Sequence, residues 1–296
     1  AAHYQEAVRI VNLVQRQFPT GFSVPLLFSR ATAYLIYTFP RFLTKQTDIV
    51  YDINGQNPVT TVESFGYNRT YRQETADTAT NSKNQPVTMQ YYHPYDNAGT
   101  IYQAMTDSNM IAPVIESIQK TNGVQSLLAE KNYYSPYTGI FLPDSVQIQN
   151  GSYPLQTRLT FNQYDKYGNV LEQQKKGAAL KEVYIWGYRG MYPVAKIIGS
   201  TYAAVSAALG QTNLLELDSA MNYTDANIRA IFTSLRASLP AAQIISYTYD
   251  PPVGITSETD VAGITTYYEY DDFGRIARIK DTNGNTLKLY DYHYKQ

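Results

Sequence analysis

The feature that most constrains the fold is a short turn signal that recurs towards the end of the chain. Aspartate is followed closely by glycine at Asp250–Gly254, Asp260–Gly263, Asp271–Gly274 and Asp281–Gly284, and successive aspartates are 10, 11 and 10 residues apart. Aspartate can accept hydrogen bonds from the backbone two residues on, and glycine tolerates positive φ without steric cost. Each signal therefore predicts a tight connection between antiparallel strands, and the set predicts a series of hairpins.

The segments between these turns have the length and the alternation of β-strands. They are about six or seven residues long, which is a usual strand length. One face of the strand before Asp271 carries Ile264, Thr266, Tyr268 and Tyr270. In the next strand Ile276 and Ile279 break the period of two, which indicates a β-bulge.

The turn spacing also predicts how the hairpins are arranged. Each turn reverses the chain, so successive turns should lie alternately on the two edges of one antiparallel sheet. Tyr249, Tyr270 and Tyr290 precede every second turn, and we expect their rings to stack as a ladder along one edge. Gly274 is expected to have positive φ at its turn.

The rest of the chain extends this pattern in a more degenerate form. Asp52–Gly55 and Asp165–Gly168 repeat the turn signal, each directly after a tyrosine. Tyrosine is the outstanding residue of the composition, at 29 of 296 residues. Its ring packs well on a pleated sheet while its hydroxyl stays hydrated, so the composition also favours strands.

One long segment departs from the β pattern. Its apolar residues follow helical spacing at Ile228, Ile231, Phe232, Leu235 and Leu239. Thr224 or Asp225 is expected to cap this helix, Pro240 to end it, and Gly210 to end an earlier one. The segment Thr201–Leu239 therefore predicts a helical insertion.

Three further segments carry weaker signals. A short helix is expected within Thr100–Glu116. Residues 73–86 are polar, which indicates an exposed loop or a long hairpin tip. The segment Ala7–Val14 is compatible with either a helix or a strand.

The predicted fold is mainly β: an antiparallel ribbon or spiral sheet of repeats with a small helical insertion near 200–240. The expected organisation is an N-terminal segment of uncertain structure at 1–45, a degenerate repeat region at 46–199, the helical insertion at 200–240 and C-terminal hairpins at 241–296.

Charge and composition exclude several classes of function. The net charge is −1, whereas a nucleic-acid-binding protein usually carries a basic excess. No apolar run approaches the 18 residues of a membrane span, so none is expected in this segment. The chain has no cysteine, which excludes disulfides and thiol chemistry.

The segment Tyr268–Ile276 reads Tyr-Glu-Tyr-Asp-Asp-Phe-Gly-Arg-Ile. It matches the pattern Y-x-Y-D-x-x-G-R-L with isoleucine in place of the final leucine, and so resembles the YD repeats of the Rhs and wall-associated protein families. The stretches Tyr184–Tyr188, Tyr192–Ile197 and Tyr290–Tyr294 resemble the large YD-repeat surface proteins of Bacteroidota.

This resemblance implies a β-ribbon that spirals, sometimes closing as a shell around a toxin, together with secretion or surface display. Two features depart from the Rhs pattern. The aspartyl self-cleavage signature D-P-x-G-L is not found before the chain stops at Gln296, and the helical insertion interrupts the ribbon. Scaffolding is therefore favoured over toxin delivery. Because the chain begins with ordinary folded sequence, we expect it to be a segment of a longer protein.

No catalytic, metal or cofactor site is predicted. His3, His93 and His293 are far apart in sequence, and the motifs of hydrolases, zinc enzymes and nucleotide-binding proteins do not occur. The Asp-to-Gly turns carry one or two carboxylates each, whereas a calcium site needs more oxygen ligands. Trp186, the single tryptophan, lies in an apolar run and is expected in the core.

Three tripeptides match an O-glycosylation acceptor pattern of Bacteroidota. They contain the candidate acceptors Thr78, Ser145 and Ser219. Thr78 lies in the polar stretch 73–86 and is the best placed of the three.

The function predicted from the sequence is that of a non-enzymatic β-repeat scaffold, a C-terminal segment of a larger protein at the outer surface of a bacterium or secreted from it. Its partners would be the rest of its own chain or another surface protein. Two alternatives are a glycan- or surface-binding adhesin and the shell of a polymorphic toxin. A scaffold or shell predicts tyrosines buried between strands, whereas an adhesin predicts a coplanar exposed patch.

Overall fold

The computed structural model describes residues 5–8, 35–38, 42–219 and 224–292, with the backbone alone for residues 5–8, 35–38 and 125–127. The chain divides into two compact units, residues 1–65 and residues 66–296. Antiparallel strands dominate the described residues, which confirms the mainly β fold.

Two antiparallel strand pairs occur among the described residues of the first unit. Strand β1 (Gln5–Val8) pairs with β2 (Leu35–Thr38), and β3 (Lys45–Val50) pairs with β4 (Val59–Tyr67). The ambiguous segment Ala7–Val14 is therefore extended up to Val8, and the rest of it lies outside the described residues.

The second unit is built on strands that each pair with the next strand along the chain, from β5 to β18. They are β5 (Glu74–Thr80), β6 (Pro86–Tyr92), β7 (Glu116–Thr121), β8 (Val124–Tyr137), β9 (Ile140–Asn150), β10 (Gln156–Tyr164), β11 (Val170–Lys175), β12 (Glu182–Gly187), β13 (Tyr192–Ile198), β14 (Gln243–Asp250), β15 (Gly254–Thr259), β16 (Thr265–Tyr270), β17 (Ile276–Lys280) and β18 (Thr286–Leu289). Because each connection joins neighbouring strands, successive turns lie on alternate edges, as the turn spacing predicts.

In the described part of this unit, three α-helices lie in the connections between strands: α1 (Thr100–Asp107), α2 (Tyr202–Asp218) and α3 (Asp225–Ser238). A short 3-10 helix, Pro94–Asp96, precedes α1. Helices α2 and α3 confirm the predicted helical insertion, which here joins β13 to β14. The helix that starts at Tyr202 breaks at Gly210, where φ is 75° and ψ is 155°, and then resumes. Thr224 caps α3, since its side chain accepts a hydrogen bond from the Asn227 N–H. None of the described helices is long and apolar enough to cross a membrane.

The two long helices cover one face of the sheet and form the main core there. In β12 alternate residues are buried, which places Val183 and Ile185 beneath the helices. The core cluster consists of Val183, Ile185, Tyr188, Val194, Ala195, Ile197, Val205, Leu209, Leu217, Ile228, Phe232, Leu235 and Ile244. The core is therefore concentrated where helices meet β12, β13 and β14.

Farther along the same sheet face, hydroxyl groups replace the apolar core. Ser246, Thr248, Ser257, Thr259 and Thr265 are buried polar residues of β14, β15 and β16. Arg236 of α3 reaches this strip, where Nη2 donates to the carbonyl oxygens of Ile244 and Thr259 at 3.1 and 3.2 Å. Burial lowers the pKa of the Arg236 guanidinium, although the charge of Asp260 opposes this effect. Beyond the apolar core, hydrogen bonds from Arg236 therefore hold α3 against the sheet.

One sequence interpretation needs correction and another is confirmed. The polar stretch 73–86 is mostly strand, because Glu74–Thr80 pairs with Pro86–Tyr92 and only the tip at 81–85 is a turn. Polar side chains suit these strands because they are only partly buried. The short helix expected within Thr100–Glu116 is confirmed: α1 ends at Asp107, and Glu116 already begins β7.

Candidate functional site: the tyrosine and aspartate hairpins

The turn at Asp271–Gly274 shows how one aspartate holds a hairpin closed. Asp271 Oδ1 accepts hydrogen bonds from the backbone N–H groups of Phe273 and Arg275, at 2.9 and 3.0 Å. The Gly274 N–H donates to the Asp271 carbonyl oxygen at 2.9 Å. The other carboxylate oxygen accepts from Arg275 Nε at 2.8 Å. The carboxylate therefore satisfies backbone donors that the tight turn would otherwise leave unpaired.

The same arrangement recurs at other turns. The carboxylates of Asp52, Asp165 and Asp281 each accept from the N–H groups two and four residues on, at 2.8 to 2.9 Å. At Asp165 and Asp281 an asparagine side chain takes the place of the arginine and donates to Oδ2 at 3.1 and 2.9 Å. Asp260 accepts from the Ile264 N–H at 2.8 Å. The repeated unit is thus a self-contained aspartate turn.

Backbone conformation explains the glycine of this turn. Gly263, Gly274 and Gly284 have φ of 81°, 71° and 84°. A Cβ built at Gly274 would meet nothing within 4 Å. The requirement at this position is therefore the positive φ itself and not a lack of space.

The first predicted turn, Asp250–Gly254, has a different form. The Val253 N–H donates to the Asp250 carbonyl oxygen at 2.7 Å, and the Pro251–Pro252 peptide bond is cis. Gly254 pairs with Asp250 and begins β15, so it lies outside the tight turn. The extra residue between aspartate and glycine accounts for this difference. A Cβ at Gly254 would instead collide with the Tyr270 hydroxyl.

The turn carboxylates are stabilised in their charged form. The side-chain hydrogen bond from Arg275 lowers the pKa of Asp271 below its ordinary value of 3.8, and the Asn285 side chain does the same for Asp281. At Asp52 the backbone N–H of Gln56 has the largest lowering effect on the pKa. A general acid or base needs a pKa near the working pH, so these carboxylates are suited to structure and not to proton transfer.

Tyrosines add a second repeated contact, which the sequence analysis missed. Tyr164, Tyr249 and Tyr270 each stand directly before a turn aspartate, at the end of a strand and beyond its last backbone pair with the preceding strand. Tyr270 Oη donates to the Ile255 carbonyl oxygen at 2.9 Å, and Tyr249 Oη donates to that of Pro193 at 2.8 Å. Tyr164 Oη donates to the Pro143 carbonyl oxygen at 2.5 Å. We call this bond, from a strand-end tyrosine to a carbonyl of the preceding strand, a tyrosine clamp.

Each clamp is made next to a β-bulge. The pairing of β14 with β15 skips Thr256, directly after the acceptor Ile255. The pairing of β12 with β13 skips Val194 after the acceptor Pro193, and that of β8 with β9 skips Asp144 after Pro143. A bulge disrupts the ladder locally and leaves backbone groups to be satisfied otherwise. The tyrosine hydroxyl supplies that missing donor.

A related bond is made by Tyr292, which lies beyond the end of β18 and whose hydroxyl donates to the Ile276 carbonyl oxygen at 2.9 Å. The pairing of β16 with β17 skips Ala277, so the bulge expected from Ile276 and Ile279 is confirmed. The sequence signal for the clamps of Tyr164, Tyr249 and Tyr270 is the tyrosine before the turn aspartate, but the acceptor depends on which residue of the neighbouring strand is bulged.

The expected ladder of Tyr249, Tyr270 and Tyr290 is replaced by these separate contacts. Tyr249 stacks on Tyr192, with ring centroids 4.7 Å apart. Tyr270 instead lies over Gly254. Tyr290 contributes its backbone N–H to the Ala277 carbonyl oxygen. Consecutive hairpins on one edge are two strands apart, a separation of roughly 10 Å that exceeds the contact distance of stacked rings.

The three candidate glycosylation acceptors differ in accessibility. Ser145 is buried, with 8% of its surface exposed. Thr78 is partly buried in β5, where its hydroxyl lies 2.9 Å from that of Thr88. Ser219 follows α2 and is exposed.

The buried histidine has a structural environment. His93 Nδ1 lies 3.1 Å from the Pro113 carbonyl oxygen, and Nε2 lies 3.0 Å from that of Glu74. Its ring also stacks on Tyr95, with centroids 5.4 Å apart. His3 and His293 lie outside the described residues. Within the described part of the chain no cluster of three or more metal-binding side chains occurs.

Comparison with known proteins gives a short family match. A profile of the RHS Repeat family matches residues 252–286, which include the aspartate turns at Asp260, Asp271 and Asp281. No curated protein matches the chain.

The chain is also similar to parts of solved toxin complexes. One is the crystal structure of TcdB2-TccC3-Cdc42, with 9% identity, a TM-score of 0.37, and coverage of 84% of this chain and 12% of that chain. Another is the Tc holotoxin pore of Photorhabdus luminescens with a TccC3 mutation, with 10% identity, a TM-score of 0.38, and coverage of 88% and 12%. The chain thus spans about an eighth of the structures it matches. From the family match and its tyrosine and aspartate hairpins, the chain contains a YD/Rhs repeat at residues 252–286.

Proposed function

We propose that this chain is a non-enzymatic β-repeat scaffold, a C-terminal segment of a larger protein that is secreted or displayed at the bacterial surface. The observation that supports this proposal is the repeated use of the characteristic residues for internal bonding. Asp271 binds its own turn, and Tyr270 clamps the preceding strand. The residues that define the repeat are thereby used to hold the sheet together.

The tyrosine environments favour a scaffold over a flat adhesive patch. Burial raises the pKa of Tyr164 to about 12, with smaller contributions from Asp144 and Tyr134. Burial likewise raises the pKa of Tyr249, which stacks on Tyr192. Both hydroxyls donate to backbone carbonyls. Both tyrosines therefore connect neighbouring strands, which is the role that a scaffold or a shell predicts.

The last described strand indicates what the scaffold would contact. Among the described residues β18 pairs with β17 alone, and all four of its residues are exposed. An unpaired strand edge is a template for another strand. Its partner would be another segment of the same long protein or another surface protein.

The test is to locate the protein on the cells that make it. An antibody raised against the recombinant chain should detect a protein larger than 33.4 kDa. Protease added to intact cells should remove the signal, while a cytoplasmic marker stays intact. A protease-resistant signal confined to the cytoplasmic fraction would refute the surface location, and a band at the mass of the chain alone would refute the larger protein.

A second candidate is the shell of a polymorphic toxin, which the RHS match favours because Rhs ribbons can close around a cargo. The two candidates differ in whether a polypeptide is enclosed. Limited proteolysis of the native full-length protein should leave a protected polypeptide in addition to the repeats if it is a shell. A scaffold yields fragments of the repeat region alone.

The glycosylation expectation becomes a proposal about one residue. Ser219 is exposed, whereas Ser145 is buried. We therefore propose Ser219 as the O-glycosylated residue among these acceptors. Mass spectrometry of peptides from the native protein checks this, and a glycan on Ser145 would contradict the burial argument.

A further inference from the structure

A cleft opens between α2 and the aspartate turn that joins β10 to β11. Its volume is about 280 Å³. Trp186 of β12 contributes to its lining, together with Tyr167 of the turn and Tyr202 of α2. This cleft is separate from the tyrosine clamps, because none of these three residues makes one. It is therefore a concave surface that the scaffold does not explain.

The aromatic side chains give the cleft flat apolar walls. Trp186 is held in place because its Nε1 donates to the Val170 carbonyl oxygen at 2.9 Å. Tyr167 is half exposed, and Leu214 and Leu215 add aliphatic surface. Small-molecule sites typically combine such apolar lining with a few placed polar groups.

Polar groups without protein partners complete the lining. Among the described residues, the Gln211 side-chain amide and Tyr202 Oη have no hydrogen-bond partner in the protein, and both residues line the cleft. Asp218 Oδ2 binds Lys166 Nζ at 2.7 Å, which leaves Oδ1 as an acceptor. Donors and acceptors are thus both available, and this mixture matches hydroxyl groups, which donate and accept.

The charge of the cleft disfavours an anionic ligand. Asp165 and Asp218 contribute two carboxylates, and Lys166 contributes one ammonium group, which Asp218 already binds. The Asp165 oxygens accept bonds from within their own turn. We infer that this cleft binds one ring of a neutral glycan, with the ring face against the aromatic walls and its hydroxyls bonded to Gln211 and Tyr202.

This inference stands on the cleft alone and does not depend on the proposed scaffold. Trp186 is the single tryptophan, so its fluorescence reports on this site without interference. The recombinant chain should be titrated with glucose, galactose, mannose, N-acetylglucosamine and N-acetylneuraminic acid, with calorimetry as a second readout. At least one neutral sugar should change the emission in a saturable manner in the millimolar range, and N-acetylneuraminic acid should bind more weakly.

Matched variants locate the binding. Gln211→Ala and Tyr202→Phe should each weaken sugar binding about fivefold, the effect of one lost hydrogen bond. Thr212→Ala changes the adjacent exposed residue of α2, which does not line the cleft, and should bind as the parent does. Circular dichroism would establish that all three variants are folded.

Three outcomes would overturn the inference. One is the absence of both fluorescence change and heat with every neutral sugar. Another is sugar binding that is equal in the parent, Gln211→Ala and Tyr202→Phe, which places the site elsewhere. The third is saturation by an apolar probe such as an anilinonaphthalene sulfonate without a response to sugars, which would make the cleft a pocket for an apolar side chain.

Discussion

The helix-covered part of the sheet and the C-terminal hairpins are stabilised in different ways. Beneath α2 and α3 the strands β12 to β14 contribute to an apolar core in which Val183, Ile197 and Phe232 are fully buried. In β15 to β18 the buried residues are the polar Ser257, Thr259 and Thr265, and β18 is exposed throughout. The hairpins depend instead on aspartate turns and tyrosine clamps. A sheet can therefore extend beyond its apolar core when each hairpin supplies hydrogen-bond partners for its own backbone N–H and C=O groups.

The largest effect should come from the core. Phe232→Ala removes a fully buried ring between α3 and the sheet. We expect it to lower the free energy of unfolding by about 3–5 kcal/mol, because lost burial adds to the cost of a cavity. Urea denaturation measures this loss. Thr233→Ala, at the adjacent exposed position, is the control. A loss for Phe232→Ala no larger than that of the control would contradict the role assigned to this core.

Arg236 connects the two regions, and its removal should have the next largest effect. Arg236→Met keeps much of the side-chain stem but leaves the carbonyl oxygens of Ile244 and Thr259 without this donor. We expect a loss of about 2 kcal/mol in unfolding free energy. Arg229→Met removes one hydrogen bond to Ser257, a part-exposed ion pair with Asp225 and a contact with the Tyr267 ring, and it should cost less because it leaves no buried backbone carbonyl without a donor. Equal losses in the two variants would show that the buried hydroxyl strip does not depend on Arg236.

The conformation of a hairpin turn gives a smaller effect. Gly274→Val places a β-branched residue at φ 71° and should destabilise the protein by more than about 1 kcal/mol. Gly274→Asn should cost less, since asparagine tolerates this conformation. Thermal unfolding of both variants measures the difference, and an unchanged melting temperature for Gly274→Val would count against the turn geometry.

A single tyrosine clamp should contribute about 1 kcal/mol to the free energy of unfolding. Tyr270→Phe keeps the ring and removes the hydroxyl that bonds the Ile255 carbonyl oxygen, so about that much stability should be lost. Tyr268→Phe is the matched control two residues earlier on the same strand. Hydrogen exchange should show faster opening at the start of β15 and the end of β16 in Tyr270→Phe alone. Identical exchange in both variants would argue against the clamp.

The smallest expected effect is the pH dependence of an aspartate turn. The Arg275 hydrogen bond lowers the pKa of Asp271 in the folded protein below 3.8, so its stabilising contribution is present above that pH. It is lost as the pH falls through the folded pKa. Asp271→Asn should therefore flatten the decline of unfolding free energy below about pH 4. An identical decline in the variant and the parent would exclude this contribution.

A carboxylate of the helix-covered region offers a comparison. Burial opposes ionisation of Glu182, but hydrogen bonds from Gln173 and Tyr184 and the charge of Lys196 outweigh it and lower its pKa to about 2. Ionised Glu182 should therefore contribute to the free energy of unfolding at lower pH than a carboxylate with an ordinary pKa does. Glu182→Gln should change the pH profile between about 4.5 and 2, where the folded and unfolded proteins differ in protonation.

Local chemistry explains what could be predicted from the sequence. Aspartate, glycine and their spacing are properties of a few adjacent residues, so the turns at Asp271 and Asp281 and the order of the hairpins followed from them. The helical insertion was likewise predictable, because Thr224, Pro240 and the apolar period between them act within one helix. The structure of the stretch 73–86 was harder to predict, since polar residues can occupy a partly buried strand as well as a loop.

Other features depended on which distant residues meet. Tyr270 was recognisable as part of a repeat, but its acceptor, the Ile255 carbonyl oxygen, is exposed by a bulge that arises from the pairing of β14 with β15. Gly254 appeared to be a turn residue, yet it accommodates the Tyr270 ring.

The sequence by itself thus determined most strands and aspartate turns of the C-terminal hairpins, their alternation between edges and the helical insertion, because each follows from short-range backbone preferences. Only the tertiary structure decided the clamps, the hydroxyl strip beneath Arg236 and the cleft around Trp186. Those contacts join residues as far apart as Arg236 and Thr259, or Trp186 and Gln211. Their geometry depends on strand register and helix packing, which no short segment specifies alone.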